Sequence, residues 1–135
     1  MPVFRSASAP VFTASQPGLD PKIPTPHLTV RGYAAPSRGA KEVCAWHATF
    51  APGVPQTPGT LTHEWYFLVL SGVASVELDG THIELEPGDS MTVPANVPVS
   101  LGNPHDEQLE LLEVCPVGTQ LAFPGMDPFT PQWVE

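Results

Sequence analysis

The sequence predicts an all-β fold built from short strands, and three observations support this class. The chain has 135 residues with 18 prolines and 11 glycines, and proline breaks the interior of a helix. Short runs rich in valine, leucine and aromatic residues alternate with turn residues, at the spacing of a sandwich or closed barrel. The dipeptide Asp79-Gly80, between two such runs, is a strong signal for a two-residue hairpin.

The chain divides by composition into three parts. Residues 1–40 are rich in proline and serine, and we interpret them as an extended N-terminal arm that wraps the barrel and contains one short edge strand. Residues 41–120 form the predicted barrel. Residues 121–135 are punctuated by proline and are predicted to form a tail that packs Phe129 and Trp133 on the barrel.

The barrel strands follow from runs of apolar residues bounded by turns. In the first strand, alternation of side chains puts His47 on one face and Cys44 and Trp46 on the other. Residues 51–59 are predicted to be a loop. The predicted strands, in order, are 41–50, 64–72, 73–78, 81–86, 90–94, 97–103 and 108–116.

Charge and composition exclude several functions. The formal charge is −9 and the chain has only five Lys and Arg residues, so a nucleic-acid surface, which needs clustered cations, is not expected. No stretch approaches the ~18 apolar residues of a membrane span, and no apolar run at the start suits a signal peptide. We therefore expect a cytoplasmic protein in which Cys44 and Cys115 are buried, reduced thiols.

The spacing of glycines and prolines between residues 53 and 94 resembles the two motifs of the cupin family. Gly53 and Gly72 take the two glycine positions of the first motif, and Gly88 and Pro94 take positions of the second. The resemblance covers about residues 41–115. It implies a jelly-roll β-barrel. The chain is similar in particular to small, single-domain bacterial cupins.

The same resemblance implies four metal-ligand positions, which in metal-binding cupins hold three histidines and a glutamate. A divalent first-row metal prefers imidazole, carboxylate or thiolate ligands, and none of the four residues here offers one. We therefore expect no metal and no other cofactor. A shifted metal site built from His47, His63 and Glu64 is the alternative. The four positions hold Gly59, Leu61, Trp65 and Val99.

Without a metal, the predicted barrel interior is an apolar cup with a few polar groups. If alternation continues back from Trp65, His63 also faces inward and could act as a general base, assisted by His47. Two interpretations stay open, since Trp65 could either fill the cup or line it. The predicted ligand-binding residues are Leu61, Trp65, Phe67, Val69, Val99 and Asn103.

Three functions remain compatible with this site. The first is a metal-independent isomerase, cyclase or lyase that uses His63 for acid–base chemistry on a small organic molecule. The second is a non-catalytic binding protein for an aromatic or polyketide-like ligand, and the third is a metal-dependent enzyme with the shifted site. A homodimer formed through the outer face of Tyr66, Leu68 and Leu70 is compatible with all of them.

Overall fold

The computed structural model describes residue 3, residues 5–16 and residues 19–135. Positions 1, 2, 4, 17 and 18 of the predicted arm lie outside the described residues. No helix in the described part of the chain is long and apolar enough to cross a membrane. The strands are β1 (Val11–Ala14), β2 (Leu28–Ala34), β3 (Val43–Phe50), β4 (Val54–Leu61), β5 (Trp65–Ser71), β6 (Ala74–Leu78), β7 (Thr81–Leu85), β8 (Ser90–Val93), β9 (Val99–Asn103), β10 (Leu109–Pro116) and β11 (Leu121–Ala122), and 3-10 turns occupy Ser6–Ser8, Pro36–Arg38 and Gln132–Val134.

The strands form two antiparallel sheets that face each other. The first sheet has the order β1-β2-β3-β10-β5-β8, and the second has the order β11-β4-β9-β6-β7. Neighbours in each sheet are mostly distant in sequence, as in a jelly roll, where the chain crosses repeatedly between two sheets. The predicted all-β jelly-roll class is confirmed.

The predicted hairpin forms at Asp79 and Gly80. Both residues have positive φ, 48° and 83° respectively, as a type I′ turn requires. β6 and β7 pair on either side of this turn, with Leu78 opposite Thr81. The dipeptide therefore sets the register of the two strands at one edge of the second sheet.

The prediction of a loop at residues 51–59 was wrong, because this stretch contains most of β4. The pairing of β4 with β9 is interrupted between Val54 and Thr57, and Pro55 lies at this irregularity. A proline is tolerated there because no ladder hydrogen bond from its nitrogen is needed. Gly102 of β9 permits the close approach, since a Cβ at that position would collide with the β4 backbone.

The segment predicted to be an arm contributes two strands to the first sheet. β2 pairs along β3, from Leu28 opposite Phe50 to Ala34 opposite Ala45, and β1 pairs with β2. In the tail, Trp133 packs against the core, whereas Phe129 is 37% exposed. The apolar core lies between the two sheets.

Candidate functional site

A cavity of about 550 Å³ lies between the two sheets. Its volume falls within the roughly 300–1,000 Å³ of small-molecule sites. Trp65 forms part of the wall and leaves the cavity open, and the centroid of its ring lies 5.0 Å from that of Phe67, with the two rings tilted by 34°. The described lining residues include no Lys or Arg. The aromatic residues of the lining are Trp46, Phe50, Trp65, Phe123 and Trp133.

Glu113 is the only carboxylic acid among the described residues that line the cavity. It lies on β10, where the inward positions alternate as Leu109, Leu111, Glu113 and Cys115, all of them buried. The register of β3 and β10 puts Glu113 directly opposite Trp46. The indole Nε1 of Trp46 donates a hydrogen bond of 2.7 Å to Oε2 of Glu113. The strand register thus holds one carboxyl group inside an apolar wall.

Burial raises the pKa of Glu113 to about 7, from 4.5 for the free side chain, because an apolar environment disfavours the charged form. The hydrogen bond from Trp46 acts in the opposite direction and lowers the pKa, as does the nearby indole N–H of Trp65. The Nε1 atom of Trp65 is buried and makes no well-formed hydrogen bond with a described residue. We therefore assign Trp46 the direct contact and Trp65 a weaker dipolar effect.

A carboxyl group with a pKa near 7 can accept and donate protons at neutral pH, which suits general acid–base catalysis. Glu113 has only 6% of its surface exposed. The apolar wall favours a neutral ligand, because no described residue of the lining is a Lys or Arg that could balance an anion. The arrangement can move a proton on a neutral organic molecule.

The four positions that the resemblance implies as metal ligands all line this cavity. Glycine, leucine, tryptophan and valine offer none of the donors that a first-row metal prefers, so these residues do not fit a metal ion. Within the described ranges, no three His, Cys, Asp or Glu side chains are grouped so as to hold a metal. The four residues are Gly59, Leu61, Trp65 and Val99.

Of the six predicted ligand-binding residues, the structure brings Leu61, Trp65 and Val99 to the cavity. Phe67 and Val69 are fully buried in the core and do not line the cavity. The remaining residue, Asn103, also lies elsewhere. Its side-chain Nδ2 donates hydrogen bonds to the carbonyl oxygens of Ala51, at 3.1 Å, and Glu107, at 2.7 Å, so it supports the adjoining loops.

The structure does not bring the two candidate catalytic histidines to the cavity. His63 is exposed in the turn between β4 and β5, because β5 begins only at Trp65 and alternation does not extend back to it. His47 lies on the outer face of β3, where its Nε2 is 3.3 Å from Oε1 of Glu110. Glu64 is exposed. Hence His47, His63 and Glu64 do not converge on one ion.

Among the polar residues of the cavity that sequence reasoning missed are Glu113 and His27. Glu113 had a signal in the sequence, since it interrupts an alternating apolar face on a predicted strand. His27 had none, because its position depends on the path of the preceding segment. Its imidazole is 7% exposed, and its Nδ1 accepts a hydrogen bond of 2.7 Å from the backbone N–H of Gln16.

The two cysteines face each other across β3 and β10, with Cys44 opposite Cys115, and both are buried free thiols. Burial raises the pKa of Cys44, and it raises that of Cys115 to about 12. A thiol in this state is a poor nucleophile. Although Cys115 touches the cavity, we assign it no part in the chemistry.

The sequence matches the protein family described as Cupin domain over residues 46–115. No curated protein matches the chain.

Solved structures resemble the whole barrel. The polyketide cyclase RemF from Streptomyces resistomycificus aligns with a TM-score of 0.74 and 18% identity, over 94% of this chain and 87% of that one. A salicylate 1,2-dioxygenase from Pseudoaminobacter salicylatoxidans with gentisate aligns with a TM-score of 0.61 and 20% identity, over 76% of this chain but only 30% of that one. A cupin superfamily protein from Desulfitobacterium hafniense aligns with a TM-score of 0.56 and 18% identity, over 66% of this chain and 76% of that one. At these identities the likeness shows the shared fold.

We predict that replacing Glu113 with glutamine changes how stability depends on pH. The pKa of Glu113 is about 7 in the folded state and 4.5 in a free side chain, so the folded protein binds the proton more tightly. Relative to Glu113→Gln, the wild type should lose about 3 kcal/mol of unfolding free energy as the pH rises from about 4.5 through about 7.

Urea denaturation of both proteins across this pH range measures the difference. The exposed strand residue Glu77 provides the matched control, because Glu77→Gln should leave the pH dependence unchanged. If the unfolding free energies of wild type and Glu113→Gln change with pH in parallel, burial does not shift the titration of Glu113.

Proposed function

This chain belongs to the cupin family, and we propose that it is an acid–base catalyst acting on a small neutral organic molecule inside the barrel. The observation that carries the proposal is Glu113, a buried carboxyl with a pKa of about 7 in the wall of an apolar cavity. Its reaction would be an isomerisation, cyclisation or elimination that begins with removal of a proton.

The proposed step is proton removal from a carbon next to a carbonyl group. Trp46 engages Oε2 of Glu113 and fixes the orientation of the carboxyl group. Oε1 of the carboxylate takes the proton from the substrate carbon, and the resulting carboxylic acid returns a proton to the enolate at a different atom. A base whose pKa lies near the working pH is suited to both steps.

The proposed ligand class is supported by the aromatic residues that line the cavity and by the likeness to one solved structure. Aromatic side chains surround much of the cavity, and flat aromatic ligands stack favourably on such rings. RemF is a polyketide cyclase. We therefore propose aromatic or polyketide-like carbonyl compounds as ligands of this chain.

A non-catalytic binding protein is the second candidate function. It is favoured by the hydrogen bond between Trp46 and Glu113, since a protonated carboxyl held in this way is also a suitable static anchor for a ligand carbonyl. Saturable binding without any proton exchange would select this candidate over the first.

The catalytic proposal is tested by hydrogen–deuterium exchange of a model ketone. We expect the wild type to accelerate exchange of the methyl protons of para-acetylbiphenyl in heavy water, measured by proton NMR. Glu113→Gln should lower the catalysed rate by about 10²–10⁴-fold, as loss of a general base does. The wild-type rate should rise with pH through about 7 as Glu113 ionises.

Two histidine variants distinguish this mechanism from the one that the sequence predicted. His63→Ala and His47→Ala should leave the exchange rate unchanged, because neither side chain lines the cavity. A large loss in His63→Ala, with full activity in Glu113→Gln, would assign the proton transfer to His63 instead.

We propose that the chemistry needs no metal, because the side chains of Gly59, Leu61, Trp65 and Val99 provide no ligand. Protein purified without chelator should contain metal well below one equivalent by inductively coupled plasma mass spectrometry. Its ketone exchange rate should survive dialysis against a chelator. Near-stoichiometric metal that persists through dialysis, together with loss of exchange on its removal, would overturn this proposal.

We further propose that two copies associate through the outer face of the first sheet. Tyr66 and Leu70 on this face are 37% and 45% exposed, and Val114 lies beside Tyr66 on the neighbouring strand. Burying such side chains against a second copy removes apolar surface from water.

Sedimentation velocity tests the dimer. We expect the wild type to sediment as a dimer and a variant carrying Tyr66→Lys and Leu70→Lys to sediment as a monomer, because each lysine places a charge in the interface. A control with Thr81→Lys and His82→Lys, both on the second sheet, should remain dimeric. A wild-type monomer at all concentrations would contradict the proposal.

A further inference from the structure

His27 is a buried histidine that faces the cavity and has a fixed position. It immediately precedes β2, and its backbone carbonyl accepts a hydrogen bond of 3.0 Å from the N–H of Ala51. Only 7% of its surface is exposed. Its side chain lines the same cavity as Glu113.

The hydrogen bond from Gln16 selects one tautomer of this imidazole. The backbone N–H of Gln16 donates to Nδ1 of His27 at 2.7 Å, so Nδ1 must carry the lone pair and Nε2 carries the proton in the neutral ring. The side chain of Gln16 is itself in contact with Thr57 of β4, with Oγ1 and Oε1 3.3 Å apart.

Nε2 of His27 is therefore a hydrogen-bond donor, and no described residue accepts from it. Nε2 is not among the fully enclosed polar atoms that lack a partner, so it stays accessible for a hydrogen bond to water or to a ligand. Because the imidazole lies in the cavity wall, a ligand oxygen can supply the acceptor.

His27 and Glu113 lie toward opposite ends of the cavity. On β3, Trp46 is opposite Glu113, whereas Ala51, five residues later, is bonded to the backbone of His27. β3 ends at Phe50, so Ala51 directly follows it, and at about 3.4 Å per residue the two backbone positions are ~17 Å apart along the extended chain. This separation favours an elongated ligand of two or three rings over a single small ring.

We propose that His27 is a specificity-determining residue that donates its Nε2–H to an oxygen at the far end of an elongated, neutral ligand. The reacting carbonyl of the same ligand lies at Glu113, so this inference rests on the proposed function. The substrate class is thereby narrowed to extended aromatic compounds that carry a carbonyl or hydroxyl oxygen at each end.

Two non-ionisable ketones of the same shape test this. The first is a diketone, diacetylbiphenyl, which has one para acetyl group at each end. The second is a monoketone, para-acetylbiphenyl, which has a single acetyl group at one end. Tryptophan fluorescence quenching reports binding, since Trp46, Trp65 and Trp133 line the cavity. The wild type should bind the diketone about fivefold more tightly than the monoketone, as expected for one added hydrogen bond.

His27→Phe keeps a ring in the wall but removes the donor. In this variant the preference for the diketone should fall to about twofold, which is the statistical advantage of two equivalent ends. The affinity for the monoketone should stay within about twofold of wild type, as expected where no hydrogen bond is lost. In the exchange assay the KM for the diketone should rise and kcat should be unchanged, because His27 does not contact the reacting atoms.

Gln16 offers a matched pair of variants for the tautomer. Gln16→Pro removes the backbone N–H and should reduce the preference for the diketone, whereas Gln16→Ala keeps the N–H and should preserve it. Nitrogen-15 NMR of labelled histidine should show the Nε2–H tautomer for His27 in the wild type and a mixture in Gln16→Pro.

The outcomes separate this inference from the proposed function. Full preference for the diketone in His27→Phe, or an Nδ1–H tautomer in the wild type, would overturn the role of His27 and leave the catalytic proposal standing. If the preference for the diketone depends on His27 but the ketone exchange rate is unchanged in Glu113→Gln, only the catalytic proposal is overturned. Absence of quenching by either ketone would overturn both.

Discussion

The antiparallel register of β3, β10 and β5 is the constraint on which the site depends. It puts Glu113 opposite Trp46 on one side and Phe67 on the other. Because side chains alternate between the faces of a strand, a slip of one residue in β10 would turn Glu113 to solvent and Leu112 inward. The apolar neighbours that hold this register in place are the same residues that desolvate the carboxyl group. Packing and chemistry are therefore set by one arrangement of strands.

A buried acid opposes folding at neutral pH, and the surrounding structure offsets this only in part. The indole N–H of Trp46 contributes a single hydrogen bond, and the described lining contains no cation that would stabilise the carboxylate. A well-packed apolar residue at position 113 would avoid this free-energy penalty. Strongly shifted carboxyl groups in clefts are often found where proton transfer or ligand binding requires them. This favours Glu113 as the functional group over His63 and His47, which lie outside the cavity.

Much of the fold could be predicted from sequence, because its signals are local. The hairpin at Asp79 and Gly80 follows from two residues that tolerate positive φ. β4 was not predictable in this way, since Pro55, the first of its two prolines, is tolerated through an irregularity in the pairing with β9. The residues of the candidate site were harder to predict than the strands. Extending alternation from Trp65 back to His63 crosses the end of a strand, and the location of His27 depends on contacts with a segment eleven residues earlier.

A bound metal ion and a carboxyl group that holds a proton near neutral pH would place opposite demands on the wall of this cavity. A divalent cation beside Glu113 would favour its charged form and lower its pKa, so the group would no longer hold a proton near neutral pH. With glycine, leucine, tryptophan and valine at the four converging positions, the environment has the opposite effect and favours the neutral acid. The apolar lining around Glu113 thus accounts for its pKa of about 7, because low-polarity surroundings favour the protonated carboxyl group.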